Sequence, residues 1–203
     1  MSDSLSRFNQ NILDTKALAT VHSYLADNVR APVSFSDLLR AQIVYAVSAF
    51  DKLLHDLVRE GIMQIYSGAK APTPKYLSES IPLSIVRQLN AAPAPADGCV
   101  IFEGYIIQKL KVMSFQDPDK ISNGLSYIWD ERNKWLCIGT ETGINHETLK
   151  TNIKLIVARR NSIVHEADLD PISHDKYPID QADCNHALDV IERAGKAIHR
   201  VVT

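Results

Sequence analysis

The chain has 203 residues, 45% of them hydrophobic, with 24 acidic against 22 basic residues for a formal charge of −2. That apolar content is enough to bury a proper core, and the length predicts one domain over residues 1–203. The near-neutral balance excludes binding of nucleic acid through a global positive field, so any such contact has to come from a local patch.

Helical periodicity dominates the chain from its start. Leu5, Phe8, Ile12, Val21 and Leu25 sketch a first helix, with a break expected around residues 14–17 and Pro32 ending the connection. Ser36 is expected to cap a long helix reaching about Ser67, just ahead of Gly68. Its apolar positions Leu39, Ile43, Val47, Phe50, Leu54, Leu57, Ile62 and Ile65 recur at three, four and five residues, the pattern of a buried stripe. Residues 70–75 read as a loop and 82–90 as a short helix. The Ala/Pro-rich stretch 91–98 reads as an exposed loop, followed by a helix from Cys99 to Met113. Asp117 and Pro118 form a cap-and-first-residue pair that starts a helix through about Trp129.

Residues 140–145 then form a loop in which Asn145 can cap the next helix, with Leu149, Ile153, Ile156, Val157 and Val164 in register. A polar loop over 168–180 follows, and Asp180 caps a last helix carrying Cys184, Leu188, Ile191, Gly195, Ile198 and Val202 on one face. No strand, repeat or glycine-rich phosphate loop stands out. The expected fold class is all-α, with two long helices (about 36–67 and 146–167) as its central pair. Three widely spaced cysteines without CxxC pairing argue against a disulfide framework or zinc module and for a reducing cytoplasm. No apolar run approaches ~18 residues, so no membrane partner is expected.

The stretch 158–168, Ala-Arg-Arg-Asn-Ser-Ile-Val-His-Glu-Ala-Asp, carries the most chemistry. On a helix Asn161 and His165 share a face, offset by about 40°, and Arg160 lies about 140° around from His165 with a stem long enough to reach the same cleft. Arginine neutralises phosphate through a rigid donor fork, and histidine moves protons near neutral pH. A solvated helix C-terminus also favours Arg and His through the macrodipole, and a second such pair, Arg193 and His199, occurs in the last helix.

Arg159-Arg160-Asn161-x-x-x-His165-x-x-Asp168, together with Tyr45–Phe50, Asp51, His55 and Asp56 on the earlier long helix, resembles the HEPN superfamily, specifically its RiboL-PSP-HEPN branch. The hallmark of that family is an Arg, often followed by a polar residue, and a His a few positions on. Arg160, Asn161 and His165 match it, whereas Arg193 is followed by Ala194. Some HEPN toxins carry a Tyr two positions after the His; here that position is Ala167, so the resemblance does not extend to modification there. The resemblance implies a helical bundle that dimerises with its motifs facing one cleft. It also implies a metal-independent, cofactor-free endoribonuclease, with a toxin or antiviral defence role and an antitoxin or defence-system partner.

On that reading Arg160, Asn161 and His165 are the catalytic candidates, and Lys154 and Arg159 the RNA-binding ones. Asp51 and His55, four apart on one helix face, are candidate supporting residues that could contact the motif helix; the alternative is a polar pair at a helix edge. No HExxH or dense acidic cluster appears, so no metal site is expected. Trp129 and Trp135 read as core or interface residues, and Cys137 and Cys184 as small buried hydrophobes. The rival functional readings are a catalytically silent HEPN module that binds RNA or protein, and a structural helical dimer.

Overall fold

A computed structural model describes residues 3–30 and 33–203, and Pro32 lies outside them. The described residues form α1 (Asp3–Asn28), α2 (Ser36–Tyr66), α3 (Pro74–Leu77), α4 (Leu83–Asn90), α5 (Pro95–Lys111), α6 (Pro118–Leu125), α7 (Lys134–Thr142), α8 (His146–His165) and α9 (Gln181–Val202). Among them the only β-type pairing is an isolated bridge between Leu169 and Lys176. No helix among them is long and apolar enough to cross a membrane.

The long second helix organises the molecule. Its buried positions wrap most of its circumference, from Leu39 and Ile43 to Gly61, Ile62 and Ile65, because α1, α5, α6, α8 and α9 all pack against it. A 31-residue helix is about 46 Å long, so different neighbours use different levels of it. Gly195 of α9 shows how close the packing is: a Cβ there would sit 2.6 Å from the ring of Phe8 and 3.1 Å from Leu53.

The break expected in α1 does not occur. Thr15 is buried there, its Oγ1 donates to the Asn11 carbonyl at 2.7 Å, and its own carbonyl accepts from Gln42 Nε2 at 3.2 Å. Polar groups satisfied in this way let the helix run through. Phe35, not Ser36, holds the cap position of α2. The Ala/Pro-rich loop is shorter than expected, because Pro95 opens α5 as a pre-formed first helical residue. The helix after Asp117 ends at Leu125, four residues before Trp129.

The sequence reading placed no helix at 134–142. There α7 buries Trp135, Ile138, Gly139 and Thr142 and stops at Gly143, whose φ of 68° is a left-handed terminator. Asn145 and Asp180 do cap α8 and α9, accepting hydrogen bonds from Glu147, Thr148 and Asp183 backbone amides. Trp135 donates its indole N–H to the Pro118 carbonyl at 3.0 Å. Cys184 is fully buried, and desolvation pushes its thiol up to about 11, which keeps it protonated at neutral pH.

Candidate functional site at the end of helix α8

The buried stripe of α8 is Leu149, Ile153, Ile156 and Val157. Arg160 falls three residues after Val157, four after Ile156 and seven after Ile153, so it continues that stripe. A cation in an apolar register is held only partly inside. Arg160 is half-buried, its Nε is buried without an acceptor, and its Nη1 donates to Asn161 Oδ1 at 3.0 Å. The guanidinium therefore threads from the core side of the helix to the carboxamide on its flank. Val164, expected to continue the stripe, is 46% exposed, because the last turn of α8 runs beyond the packed core.

His165 is the last helical residue and is exposed. Lys150, Lys154, Asn161 and His165 follow one another at spacings of four, seven and four, which puts them on one face as a ridge about 22 Å long. Lys154 is exposed along it, and Lys150 is paired with Glu147 at 3.2 Å. The sequence thus placed Arg160, Asn161, His165 and Lys154 on one helix, and the structure adds the Arg160–Asn161 hydrogen bond.

Arg159 has gone elsewhere. Expected at an RNA interface, its Nη2 instead donates to Asp168 Oδ2 at 2.9 Å and to the Pro178 carbonyl at 3.0 Å, and the guanidinium sits 5.6 Å from the Tyr177 ring centroid. The reason is Asp168, a carboxylate with no solvent exposure that needs cationic partners in the interior. Its second partner is Arg40 of α2, whose Nε donates to the same oxygen at 2.6 Å. Arg40 is 6% exposed, and its other nitrogens donate to Ser36 Oγ at 2.8 Å and to the Tyr177 carbonyl at 2.6 Å. Sequence reasoning missed Arg40. The available signal was a charged residue standing three and seven positions before Ile43 and Val47, inside the stripe of α2.

The chain reverses directly after His165. Glu166 N–H and Asp168 N–H both donate to the Ser162 carbonyl at 3.0 Å, and Tyr177 N–H returns to the Asp168 carbonyl at 2.9 Å. Ala167 and Asp168 adopt φ values of 54° and 60°, left-handed conformations that cost a non-glycine residue roughly 1–2 kcal/mol each. The loop beyond is tied to α2 a second time, by Lys176 donating to Asp37 at 2.6 Å.

Asp51 and His55 do not reach this helix end. They lie 11 and 15 residues beyond Arg40, about 16 and 22 Å along α2. There Asp51 Oδ1 accepts from the Phe115 amide at 2.8 Å, and His55 meets the Phe115 ring edge-on at 4.7 Å between centroids. They anchor the connection between α5 and α6, because α5 and its following segment cover that level of α2. The second Arg–His pair is likewise accounted for by packing: Arg193 donates to the Thr142 carbonyl and pairs with Asp189, joining α9 to the end of α7. Among the described residues no three His, Cys, Asp or Glu side chains gather into a metal-binding set.

No curated protein and no solved structure matches the chain. A model of the family described as RiboL-PSP-HEPN matches residues 9–202, from α1 to the end of α9. The bundle, with its Arg160–Asn161 pair and terminal His165 on a helix packed against α2, is therefore that of a protein that belongs to the RiboL-PSP-HEPN family.

Proposed function

We propose that the protein is a metal-independent endoribonuclease that uses the ribose 2′-hydroxyl as nucleophile. The observation that carries this reading is the half-buried Arg160, hydrogen-bonded to Asn161, beside an exposed His165 at the same helix end. RNA supplies its own nucleophile next to the scissile phosphate, so proximity is already provided by the substrate. A His165 imidazole takes the 2′ proton as O2′ attacks phosphorus. Arg160 donates to the phosphoryl oxygens that gather charge, a contribution of about 3–4 kcal/mol for one well-placed donor. The P–O5′ bond breaks, and a second imidazole protonates the leaving oxygen, leaving a 2′,3′-cyclic phosphate and a 5′-hydroxyl. Each proton transfer contributes roughly 10²–10⁴-fold.

One chain brings one such histidine, so acid and base roles call for a two-fold dimer with both motifs on one cleft. Lys154, exposed two turns before Asn161, extends the phosphate track; Arg159 is not assigned to it, being held by Asp168. The cellular role that fits is a cytoplasmic toxin or antiviral defence effector held in check by an antitoxin or defence-system partner. The near-neutral, slightly acidic composition favours a second reading, a silent module that binds RNA or protein.

The test is incubation of the purified protein with total RNA in the presence of chelator, beside His165→Ala and Arg160→Ala, with end-group analysis and light scattering. Cleavage to cyclic-phosphate ends by a dimer, abolished in both folded variants, supports the nuclease. RNA retention without cleavage selects the silent module. Cleavage that persists in His165→Ala refutes the site assignment.

A further inference from the structure

We infer that Arg40 and Asp168 are positioning residues for His165, an inference that rests on the reading of His165 as the proton-transfer group. His165 stands exposed at the end of α8, so the position of its Cα and the direction of its Cα–Cβ bond are set by the backbone beneath it, and only its rotamer remains free. That backbone is unusual. Two consecutive non-glycine residues, Ala167 and Asp168, take left-handed conformations two and three positions after it, and two amides share the Ser162 carbonyl. Such conformations persist where the surroundings over-determine them, and they gather at functional sites.

The over-determining contact is the Asp168 carboxylate. It is wholly buried and joins α8, through Arg159, to α2, through Arg40, on a single oxygen. Arg40 lies at the start of α2, which packs against α8, so the end of α8 that carries Arg160 and His165 is tied to α2 through Asp168. An apolar contact would join two helices at lower desolvation cost than a buried ion cluster. What the ions add is direction: the Arg40 fork holds Ser36, Asp168 and the Tyr177 carbonyl at once, which leaves one arrangement of the chain reversal and hence one exit for the last turn of α8. The same contact ties the part-exposed Arg159 to Asp168, so that of the two adjacent arginines Arg160 is the one left to serve the phosphate.

The experiment compares wild type, Arg40→Lys, Asp168→Asn and His165→Ala on a short oligoribonucleotide, with circular dichroism to restrict the comparison to folded protein. Arg40→Lys keeps the charge and removes the fork, so it is the variant that distinguishes geometry from charge. The expected result is a kcat lower by about 10- to 100-fold, as for a small misplacement of a catalytic group. KM should stay within a factor of about two, and the pH–rate profile should be displaced. In parallel the His165 imidazole NMR signal, identified by its loss in His165→Ala, should shift or broaden in Arg40→Lys while that of His22 on α1 stays in place.

Wild-type kcat and pH profile in a folded Arg40→Lys protein would overturn the inference, as would a deficit that disappears on cooling. If wild type and His165→Ala are equally inert on RNA, the nuclease reading fails by itself, and the imidazole signal then decides the positioning role. An unmoved signal overturns it.

Discussion

Replacing Asp168 by Asn removes one negative charge from a site with no solvent exposure and changes almost nothing in shape. Asparagine also tolerates the left-handed backbone that residue 168 adopts at φ 60°, so the substitution isolates charge from conformation. Arg159 loses its carboxylate partner, and Arg40 is left with Asp37 at 3.4 Å as its remaining one. Arg159 is 26% exposed and can turn to water, but Arg40 is 6% exposed and cannot. Breaking a buried pair by removing one partner costs about 3–5 kcal/mol. The lower end applies here, because Arg40 keeps its bonds to Ser36 and the Tyr177 carbonyl. For a chain of this length each kcal/mol moves Tm by about 2–4 °C, so the expected drop is about 6–12 °C. Urea unfolding followed by circular dichroism, with unchanged m, measures it directly. A cycle with Arg40→Met assigns the coupling: the double variant should recover at least about 1 kcal/mol relative to the sum of the singles. A loss below about 1 kcal/mol for Asp168→Asn, or strict additivity in the cycle, would refute the account of this cluster as a coupled buried ion pair.

Ala167→Gly relieves the left-handed strain at φ 54° and is expected to raise Tm slightly or leave it unchanged, since roughly 1–2 kcal/mol of relief is opposed by the entropy of the glycine; differential scanning calorimetry checks the sign. Gly124→Ala puts a methyl group into the ring of Phe115, which is buried. Overpacking of this kind should cost about 1–3 kcal/mol, visible as a lower urea midpoint and as a displacement of the Phe115 ring signals in NMR spectra. At Glu79, burial alone would raise the carboxyl, but hydrogen bonds from Lys109 and Tyr127, with the Lys109 charge, outweigh it and hold the group below its ordinary range. A depressed carboxyl contributes stability above its unfolded value, near 4.5, and loses it as pH falls through the folded one. The Tm difference between wild type and Glu79→Gln should therefore be largest at neutral pH and close steadily below about pH 4.5; a difference independent of pH over that range would contradict the assignment.

Helix existence along most of this chain was legible from local rules, because the apolar spacing, the caps Asn145, Asp180 and Asp117, and Pro118 all act within a few residues of where they stand. The candidate trio was legible for the same reason: Arg160, Asn161 and His165 lie within six residues on one helix, and helical geometry alone relates them. What the sequence left open depends on pairs far apart along the chain. Arg40 and Asp168 are 128 residues apart, and nothing local distinguishes Arg159, which turns inward, from Arg160, which stays at the motif. Asp51 and His55 had a suggestive spacing, but which neighbour covers their level of α2 was decided by how α5 and Phe115 pack there. Residue spacing determines which side chains share a face. Only tertiary packing, by burying one carboxylate and requiring it to find its cations, decided which of the two adjacent arginines pairs with Asp168 and which bonds to Asn161.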